Sequence, residues 1–456
     1  MIGIQLIYIL LFLPILAAVI SLSGRKNAEI SNIFLSFITG IFAFLMLIGN
    51  CDFYNGFFYT DIYSAVIVNI VAWLYFFVSL ASHYYLKNAV NTFFDIRYYW
   101  SFLALFTLTM IFTSVISSLG WMWIGIEGAT IASALLIITV PEKKNIEGAW
   151  RYIIIASTGL ALSFLSIILI YYSSGTLDIT QMTITSAAAP VITSFALLGF
   201  GTKLGLFPMH TWLPDAYDSA PCPISAILSG GLFPVVLLVY IRIYSIVDKV
   251  SSAPLYLTLV FGLLTILSAS ILMASQKYLK RLLAYSSMDI IGIATVGVAV
   301  SYYDSMVLYL VLLILVIHSF SKGALFTGAG NIIKSYNTEK IDKIRGIFWR
   351  DPVGGITLSL SALSVSGAPP FGIFIGEMGI AAIIIIHRPW YGIFFVFALL
   401  LSFLALNRHF TSMISGEASG KDVPLREKIV PVTMMLVSTA IGIWAWFYIL
   451  DFQGVL

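Results

Sequence analysis

One lysine of this sequence lies in an apolar stretch beside a proline. Lys203 follows Phe200 and precedes Leu204 and Pro208 in the segment GFGTKLGLFPMHTWLPD. A charge in hydrocarbon costs roughly 3 kcal/mol or more unless it meets a partner or water. Pro208 removes a backbone donor, and irregular backbone at membrane depth survives only where it is buried in protein or lines a wet cavity. We therefore expect a helix break here and a polar path around Lys203.

Glu127 is the acidic residue that we expect to pair with Lys203. It lies about two turns into the apolar run WMWIGIEGATIASALL, roughly 10 Å deep at ~1.5 Å per residue. Acids at membrane depth are usually functional. The alternative is that Glu127 is an interfacial carboxylate held by a backbone donor.

Four further ionisable residues lie in apolar runs. His318 and Lys322, in VIHSFSKGALF, are four residues apart and therefore share one face of a helix. Glu377 lies five residues after the GAPPFG interruption, and Asp289 is eight residues into its own run. Alternating acids and bases inside a membrane are what a proton relay requires. We expect all six residues to belong to such a relay.

Three of these residues also have a structural interpretation. Lys322 could extend its ammonium group to the membrane surface. Asp289 could cap a tilted helix. Glu377 could cap the half-helix that follows the GAPPFG interruption, at its positively polarised N-terminal end. Arg388 and His409 are interpreted as surface groups.

The composition predicts the elements that position these residues. Of 456 residues, 60% are hydrophobic and 10% are charged, which is typical of a helical bundle in a bilayer. Apolar runs of about 18 to 25 residues predict about 14 membrane-spanning helices. The chain is therefore predicted to be an all-α polytopic membrane protein.

Two predicted spans contain helix breaks. They are the seventh, Ala187–Met209, and the twelfth, Pro352–Ile386. Interrupted helices at matching positions of two units indicate inverted repeats with ion sites. We therefore predict two inverted five-helix repeats. The predicted segments are residues 1–97 with helices 1–3, 98–250 with helices 4–8, 251–414 with helices 9–13, and 415–456 with helix 14.

The basic residues predict an orientation. One side of the predicted threading carries most of the 24 Lys and Arg residues, and the other side has only Arg242, Lys249 and Arg388. Because basic residues concentrate in cytoplasmic connections, we expect a plasma-membrane protein with both termini outside the cytoplasm. The N-terminal apolar run has no preceding basic residue and no small-residue cleavage site, so we interpret it as the first span and not as a signal peptide.

No cofactor site is readable in the sequence. Cys51 and Cys222 form neither a CxxC motif nor a Cys/His cluster, which argues against a metal or iron–sulfur site on this chain. No glycine motif has the strand–helix context of a nucleotide site. The net charge of +3 includes no basic tract with interleaved aromatics, which argues against nucleic-acid binding.

Four motifs resemble one family. They are KLGLFPMHTWLPDAYDSAPCPISAILSG, KRLLAYSSMDIIG, HSFSKGALFTGAGNI and GAPPFGIFIGE. They are similar to segments of the antiporter-like subunits of respiratory complex I, of membrane-bound hydrogenases and of Mrp-type cation/proton antiporters. The resemblance covers most of the chain from the fourth predicted span onward. WIGIEGATIASALL together with EGAWRYIIIASTGLALSF looks most like the energy-converting, formate-hydrogenlyase-type branch.

The resemblance implies a role for each matched residue. The matches are Glu127 and Lys203 with the family's paired glutamate and lysine, His318 and Lys322 with its central hydrophilic axis, and Glu377 with its twelfth-helix terminal group.

One position departs from the family pattern. Pro234 stands where relatives carry a lysine or another polar residue on the eighth helix. A relay between Lys203 and Lys322 would then need water or the backbone carbonyls freed by Pro234.

The resemblance also implies an activity. The chain would be a proton- or sodium-translocating membrane subunit of a complex I-related oxidoreductase, driven by hydrophilic partner subunits with iron–sulfur centres and assembled with other membrane subunits. Two alternatives stay open. One is a subunit of a Mrp-type antiporter without a redox module. The other is a stand-alone transporter whose broken helices hold Na⁺ through oxygens of Thr202, Ser229 and Ser366.

Overall fold

The computed structural model of this chain describes residues 2–49, 51–87, 92–417 and 420–452. A hairpin of β1 (Phe53–Tyr54) and β2 (Tyr59–Thr60) is antiparallel. The α-helices are α1 (Ile2–Ser21), α2 (Arg25–Ile48), α3 (Ile62–Leu86), α4 (Ile96–Val115), α5 (Leu119–Ile137), α6 (Lys143–Ser174), α7 (Ala189–Leu204), α8 (Trp212–Ser219), α9 (Cys222–Ile227), α10 (Phe233–Val247), α11 (Ala253–Ala274), α12 (Leu279–Val300), α13 (Val307–Tyr336), α14 (Ile347–Arg350), α15 (Pro352–Val365), α16 (Gly372–His387), α17 (Pro389–Ile414) and α18 (Leu425–Phe452).

Thirteen helical segments in the described part of the chain are long and apolar enough to cross a membrane. The prediction of an all-α, multi-pass membrane protein is therefore confirmed. The twelfth predicted span, Pro352–Ile386, consists of two shorter apolar helices, α15 and α16. The count of about 14 spans and the inverted repeats stay predictions.

The chain forms two compact units. The first comprises Met1–Gly205 and Met209–Leu257, and the second comprises Leu206–Pro208 and Thr258–Leu456. The four predicted segments, which divide the chain after residues 97, 250 and 414, stay predictions.

Helices α6 and α7 pack closely in the first unit because a glycine lies where they meet. A Cβ atom added to Gly199 would collide with the backbone nitrogen and the side chain of Ser163. Small residues let the backbones of membrane helices approach each other. The polar side chains of the two helices therefore come within hydrogen-bonding distance.

The first helix break follows α7. This helix ends at Leu204, earlier than the predicted Met209, because Gly205 adopts the left-handed conformation with φ +77°. A 3₁₀ turn at Met209–Thr211 leads into α8. The carbonyl oxygen of Thr202, in the last turn of α7, accepts a hydrogen bond from Trp212 Nε1 at 2.7 Å. A side chain thus satisfies a buried carbonyl at the broken helix end.

The second break separates α15 from α16. Gly367 has φ +68° there, which a residue without Cβ adopts at little cost. The carboxylate of Glu377, on α16, lies so close to Gly367 that an added Cβ would collide with it. Asn407 Nδ2 on α17 donates to Ser366 Oγ at 2.9 Å. This bond fixes α17 beside the break.

The eighth predicted span, Ile224–Ile246, is formed by α9 and α10 with a π-helical stretch at Leu228–Leu232 between them. The stretch is buried, and Pro234 lies in the first turn of α10. Such π-helical turns are frequent at functional sites because they rearrange the backbone hydrogen bonds. The irregular backbone therefore lies in the turn that precedes Pro234.

An ion pair holds the start of α3 against α10. Asp61 caps α3 by accepting from the backbone N–H of Ser64 at 2.9 Å. Its two carboxylate oxygens accept from Arg242 at 2.6 Å each. Burial by itself raises the pKa of Asp61, but the hydrogen bonds and charge of Arg242 outweigh burial and keep that pKa below its usual value. The pair therefore stabilises the fold at neutral pH and loses its contribution as the pH falls through the lowered pKa.

Candidate functional site

Lys203 lies in the last turn of α7 and is completely buried, with an exposed fraction of 0%. Its Nζ donates hydrogen bonds to Thr130 Oγ1 and to the hydroxyl of Tyr152, both at 2.6 Å. The Nζ also lies 4.4 Å from the centroid of the Tyr152 ring, within the range of a cation–π interaction. The Tyr152 hydroxyl is in turn 2.7 Å from Ser133 Oγ. Neutral hydroxyl groups therefore hold the lysine.

Glu127 lies on α5, one turn before the threonine that Lys203 contacts. Glu127 and Thr130 are three residues apart and share one face of the helix. Glu127 Oε1 accepts from Ser157 Oγ on α6 at 2.8 Å, so a side chain and not a backbone donor holds it. Its Oε2 is buried and has no hydrogen-bond partner in the described part of the chain. Glu127 and Lys203 thus each bond to hydroxyl groups. The sequence predicts a direct contact between the two residues, and their described hydrogen bonds do not include one.

Lys322 has a similar environment in the second unit. It lies on α13 with an exposed fraction of 0%, so its ammonium group does not reach the surface. Its Nζ donates to Ser286 Oγ at 2.7 Å and to the carbonyl oxygen of Leu283 at 2.8 Å, both on α12. Asp289 follows Ser286 by three residues, and its Oδ1 accepts from Ser402 Oγ on α17 at 2.6 Å. Asp289 therefore lies in the middle of α12 and does not cap it.

The two lysines share one pattern of contacts. Each is fully buried and donates to a hydroxyl of a neighbouring helix, Thr130 or Ser286. The same helix carries an acid three residues from that hydroxyl. Glu127 precedes Thr130 in α5, and Asp289 follows Ser286 in α12. A serine of a third helix donates to the acid. In each unit, one turn of helix therefore connects a buried base with a buried or half-buried acid.

Glu377 and His318 are also buried in the second unit, with exposed fractions of 5% and 0%. Phe371 occupies the N-cap position of α16, and Glu377 lies in the second turn of that helix, five residues after its first residue, Gly372. The carboxylate of Glu377 lies against Gly367 at the second break. His318 lies one turn before Lys322 on α13.

The hydroxyl partners of the charged groups are not identifiable from the sequence as a set. Thr130 and Ser286 have a weak signal, since each lies three residues from an acid in an apolar run. The others lie on α6 and α17 and have no local signal. The partners are Thr130, Tyr152, Ser157, Ser286 and Ser402, and Ser133 in turn bonds to Tyr152.

A family model matches most of the chain. Residues 116–402 match the model described as NADH:quinone oxidoreductase/Mrp antiporter, transmembrane. All six ionisable residues predicted to form a relay lie within this stretch. The family resemblance read from the motifs is therefore confirmed.

Individual relatives agree with this match. The Hydrogenase-4 component F homolog of Methylacidiphilum infernorum is 28% identical over 437 residues, which cover 90% of this chain and 91% of the relative. NADH-quinone oxidoreductase subunit N of Desulfitobacterium hafniense is 27% identical over 374 residues, covering 76% and 75%. A chain in the structure of the Mrp complex from a Dietzia species has a TM-score of 0.87 at 16% identity, covering 98% and 96%. This last likeness shows the fold.

Proposed function

Because the chain belongs to the NADH:quinone oxidoreductase/Mrp antiporter transmembrane family, we propose that this antiporter-like subunit carries protons across the membrane within an oxidoreductase complex. The names of the hydrogenase and NADH-quinone oxidoreductase relatives support the redox assignment. Protons are favoured over Na⁺ because two of the candidate groups are lysines, whose ammonium groups have no lone pair to offer a metal ion.

Two fully buried lysines support the proposal most strongly. Lys203 and Lys322 donate to neutral oxygens in the described structure. An ammonium group in such a site has lost most of its hydration, so its charge is costly. A nearby ionised carboxylate stabilises the charged form, and neutralising that carboxylate favours proton release. We assign this switching role to Glu127 for Lys203 and to Asp289 for Lys322.

We assign loading to Lys203, storage to Lys322 and release to Glu377. His318 exchanges protons with Lys322, because the two side chains share one face of α13 and an imidazole can both donate and accept a proton. Glu377 is assigned to release because its carboxylate lies at the broken helix beside Gly367. Irregular backbone at membrane depth borders either protein or water-filled space.

The proposed driving force comes from partner subunits. Hydrophilic subunits with iron–sulfur centres would change the charge near Glu127. Other integral membrane subunits would complete the complex. The family membership and the two redox-named relatives support this arrangement. The complex would lie in the plasma membrane.

Affinity purification of the tagged chain in a mild detergent tests the redox assignment. We expect hydrophilic subunits with iron and acid-labile sulfide to co-purify, and vesicles with the purified complex to build a proton gradient when an electron donor is added. A variant with Cys51→Ser and Cys222→Ala should retain the same iron content, because the centres are assigned to partners. Co-purification of membrane subunits alone, without iron and with Na⁺-driven proton exchange, would show a Mrp-type antiporter instead.

The orientation is a second prediction. The connection between α13 and α15 is rich in basic residues and should face the cytoplasm, with both termini on the opposite side. In a background with Cys51→Ser and Cys222→Ala, Lys340→Cys should react with an impermeant maleimide only in inverted vesicles. The exposed Lys249→Cys should react only in intact cells. Labelling of Lys340→Cys from outside intact cells would contradict this threading.

A further inference from the structure

A basic cleft of about 640 Å³ opens at one end of the second unit. It is formed by the end of α11, the segment before α12, the connection after α13 and the end of α17. Its wall carries four cations and one acid. These are Lys277, Lys340, Arg345, Arg408 and Asp342.

The cations of the cleft are not neutralised by the chain itself. Within the described ranges, none of the four forms an ion pair with an acid, and Arg345 donates to the carbonyl oxygen of Ser412 at 2.5 Å. Like charges that converge on one cavity repel each other, and a bound anion offsets that repulsion. The cleft is therefore suited to an anion.

Backbone contacts hold the cleft in shape. Tyr278 and Lys340 form an antiparallel bridge, in which the N–H of Ile341 donates to the carbonyl of Lys277 at 2.9 Å. His409, expected at the surface, is half-buried, and its Nε2 lies 3.0 Å from the carbonyl oxygen of Met273. This contact ties the end of α17 to the end of α11.

An apolar surface continues from the cleft along the same helices. Leu404 and Leu400 are each 55% exposed and lie four and eight residues before Arg408 on α17, on the same face. Ile271 is 59% exposed on α11, one turn before Ala274 of the cleft wall. A cationic cleft at the helix ends thus adjoins exposed apolar faces of α11 and α17, which are both long and apolar enough to cross a membrane.

We propose that this cleft binds the phosphate headgroup of an anionic phospholipid, whose acyl chains lie along Leu400, Leu404 and Ile271. Basic pockets between membrane helices are suited to anionic headgroups. The adjoining apolar faces favour a lipid over free phosphate, which would gain nothing from them. The bound lipid would join the connection after α13, the helix that carries Lys322, to the ends of α11 and α17.

Lipid binding by the purified complex in neutral detergent tests the proposal. Fluorescent phosphatidylglycerol is expected to bind at least about ten-fold more tightly than phosphatidylcholine. Removing one cation should weaken binding about five-fold, so Lys340→Gln with Arg408→Gln should weaken it about 25-fold. The matched control, Lys343→Gln with Arg350→Gln, removes two exposed charges outside the cleft and should leave the affinity unchanged.

One further variant distinguishes a lipid headgroup from free inorganic phosphate as the ligand of the cleft, and a second measurement checks folding. Leu404→Ser should weaken lipid binding without changing the binding of inorganic phosphate. Equal thermal unfolding midpoints of the cleft variant and the control variant verify that both are folded. The proposal is overturned if phosphatidylcholine binds equally well, if cleft and control variants bind alike, or if inorganic phosphate displaces the lipid and Leu404→Ser has no effect.

Discussion

Replacing Lys203 with alanine is expected to slow proton translocation by about 100-fold or more, which is the lower range for loss of a positioned proton-transfer group. The reason is that Lys203 is the only ionisable group that donates to Thr130 and Tyr152 among the described contacts. Acidification of vesicles that contain the purified complex, followed with a pH-sensitive dye, measures the rate.

Assembly of the complex should survive this substitution. Thr130 keeps its hydrogen bond to the carbonyl of Ile126 at 2.9 Å, and Tyr152 keeps its contact with Ser133 at 2.7 Å. Removing a buried ammonium group that has hydroxyl partners leaves no buried counter-charge bonded to it. Lys203→Met fills more of the same volume and should be equally inactive.

The exposed Lys249→Ala serves as the control for loss of one positive charge. Its translocation rate should equal that of the unmodified complex. Undiminished pumping by Lys203→Ala at normal protein levels would contradict the assignment of Lys203 as the loading group.

Glu127→Gln should slow the same step as Lys203→Ala, because the charge that favours the ammonium form is lost. If the two residues act as one unit, the double variant will be no slower than the more severe single variant. A double variant whose loss equals the product of the two single losses would assign the residues to separate steps.

Replacing Lys322 with alanine is the second change for which we expect a loss of about 100-fold or more. Lys322 is the buried base that donates to Ser286, one turn from Asp289. Without it, proton uptake assigned to Lys203 and release assigned to Glu377 should no longer depend on each other. Electron transfer by the complex would then continue without net proton movement.

Glu377→Gln should give a different defect from Lys322→Ala. It removes the proposed release group but leaves Lys322, so one proton per complex should still be taken up before net release stops. Stopped-flow detection of proton uptake in a single turnover, compared with steady acidification, separates the two defects. Glu417→Gln, an exposed acid outside the helices, is the matched control.

A structural role of Glu377 predicts another result. Gln has nearly the shape of Glu and keeps the contact with Gly367, so a purely structural group would tolerate this change. Pumping by Glu377→Gln at the unmodified rate would therefore contradict the release assignment. Pumping by Lys322→Ala at that rate would contradict the storage assignment.

Local signals in the sequence determine the helical membrane fold and the region of its breaks. Apolar runs identify membrane helices because a bilayer requires a continuous apolar stretch of fixed length. Pro208 marks the first break, although α7 ends earlier, at Leu204, because the following Gly205 adopts the left-handed conformation that stops the helix. Glu377 is placed near the second break by its position five residues after GAPPFG.

Only the tertiary structure decides which groups these residues meet. Lys203 bonds to Thr130 and Tyr152 on two other helices, and Asp289 bonds to Ser402, which is 113 residues away. These contacts depend on how each helix is rotated about its axis. In a soluble protein, an amphipathic pattern reveals that rotation, whereas membrane helices are apolar on the lipid side and the buried side alike. The basic cleft, built from four separate stretches of the second unit, follows from the same packing and has no counterpart in any single stretch of sequence.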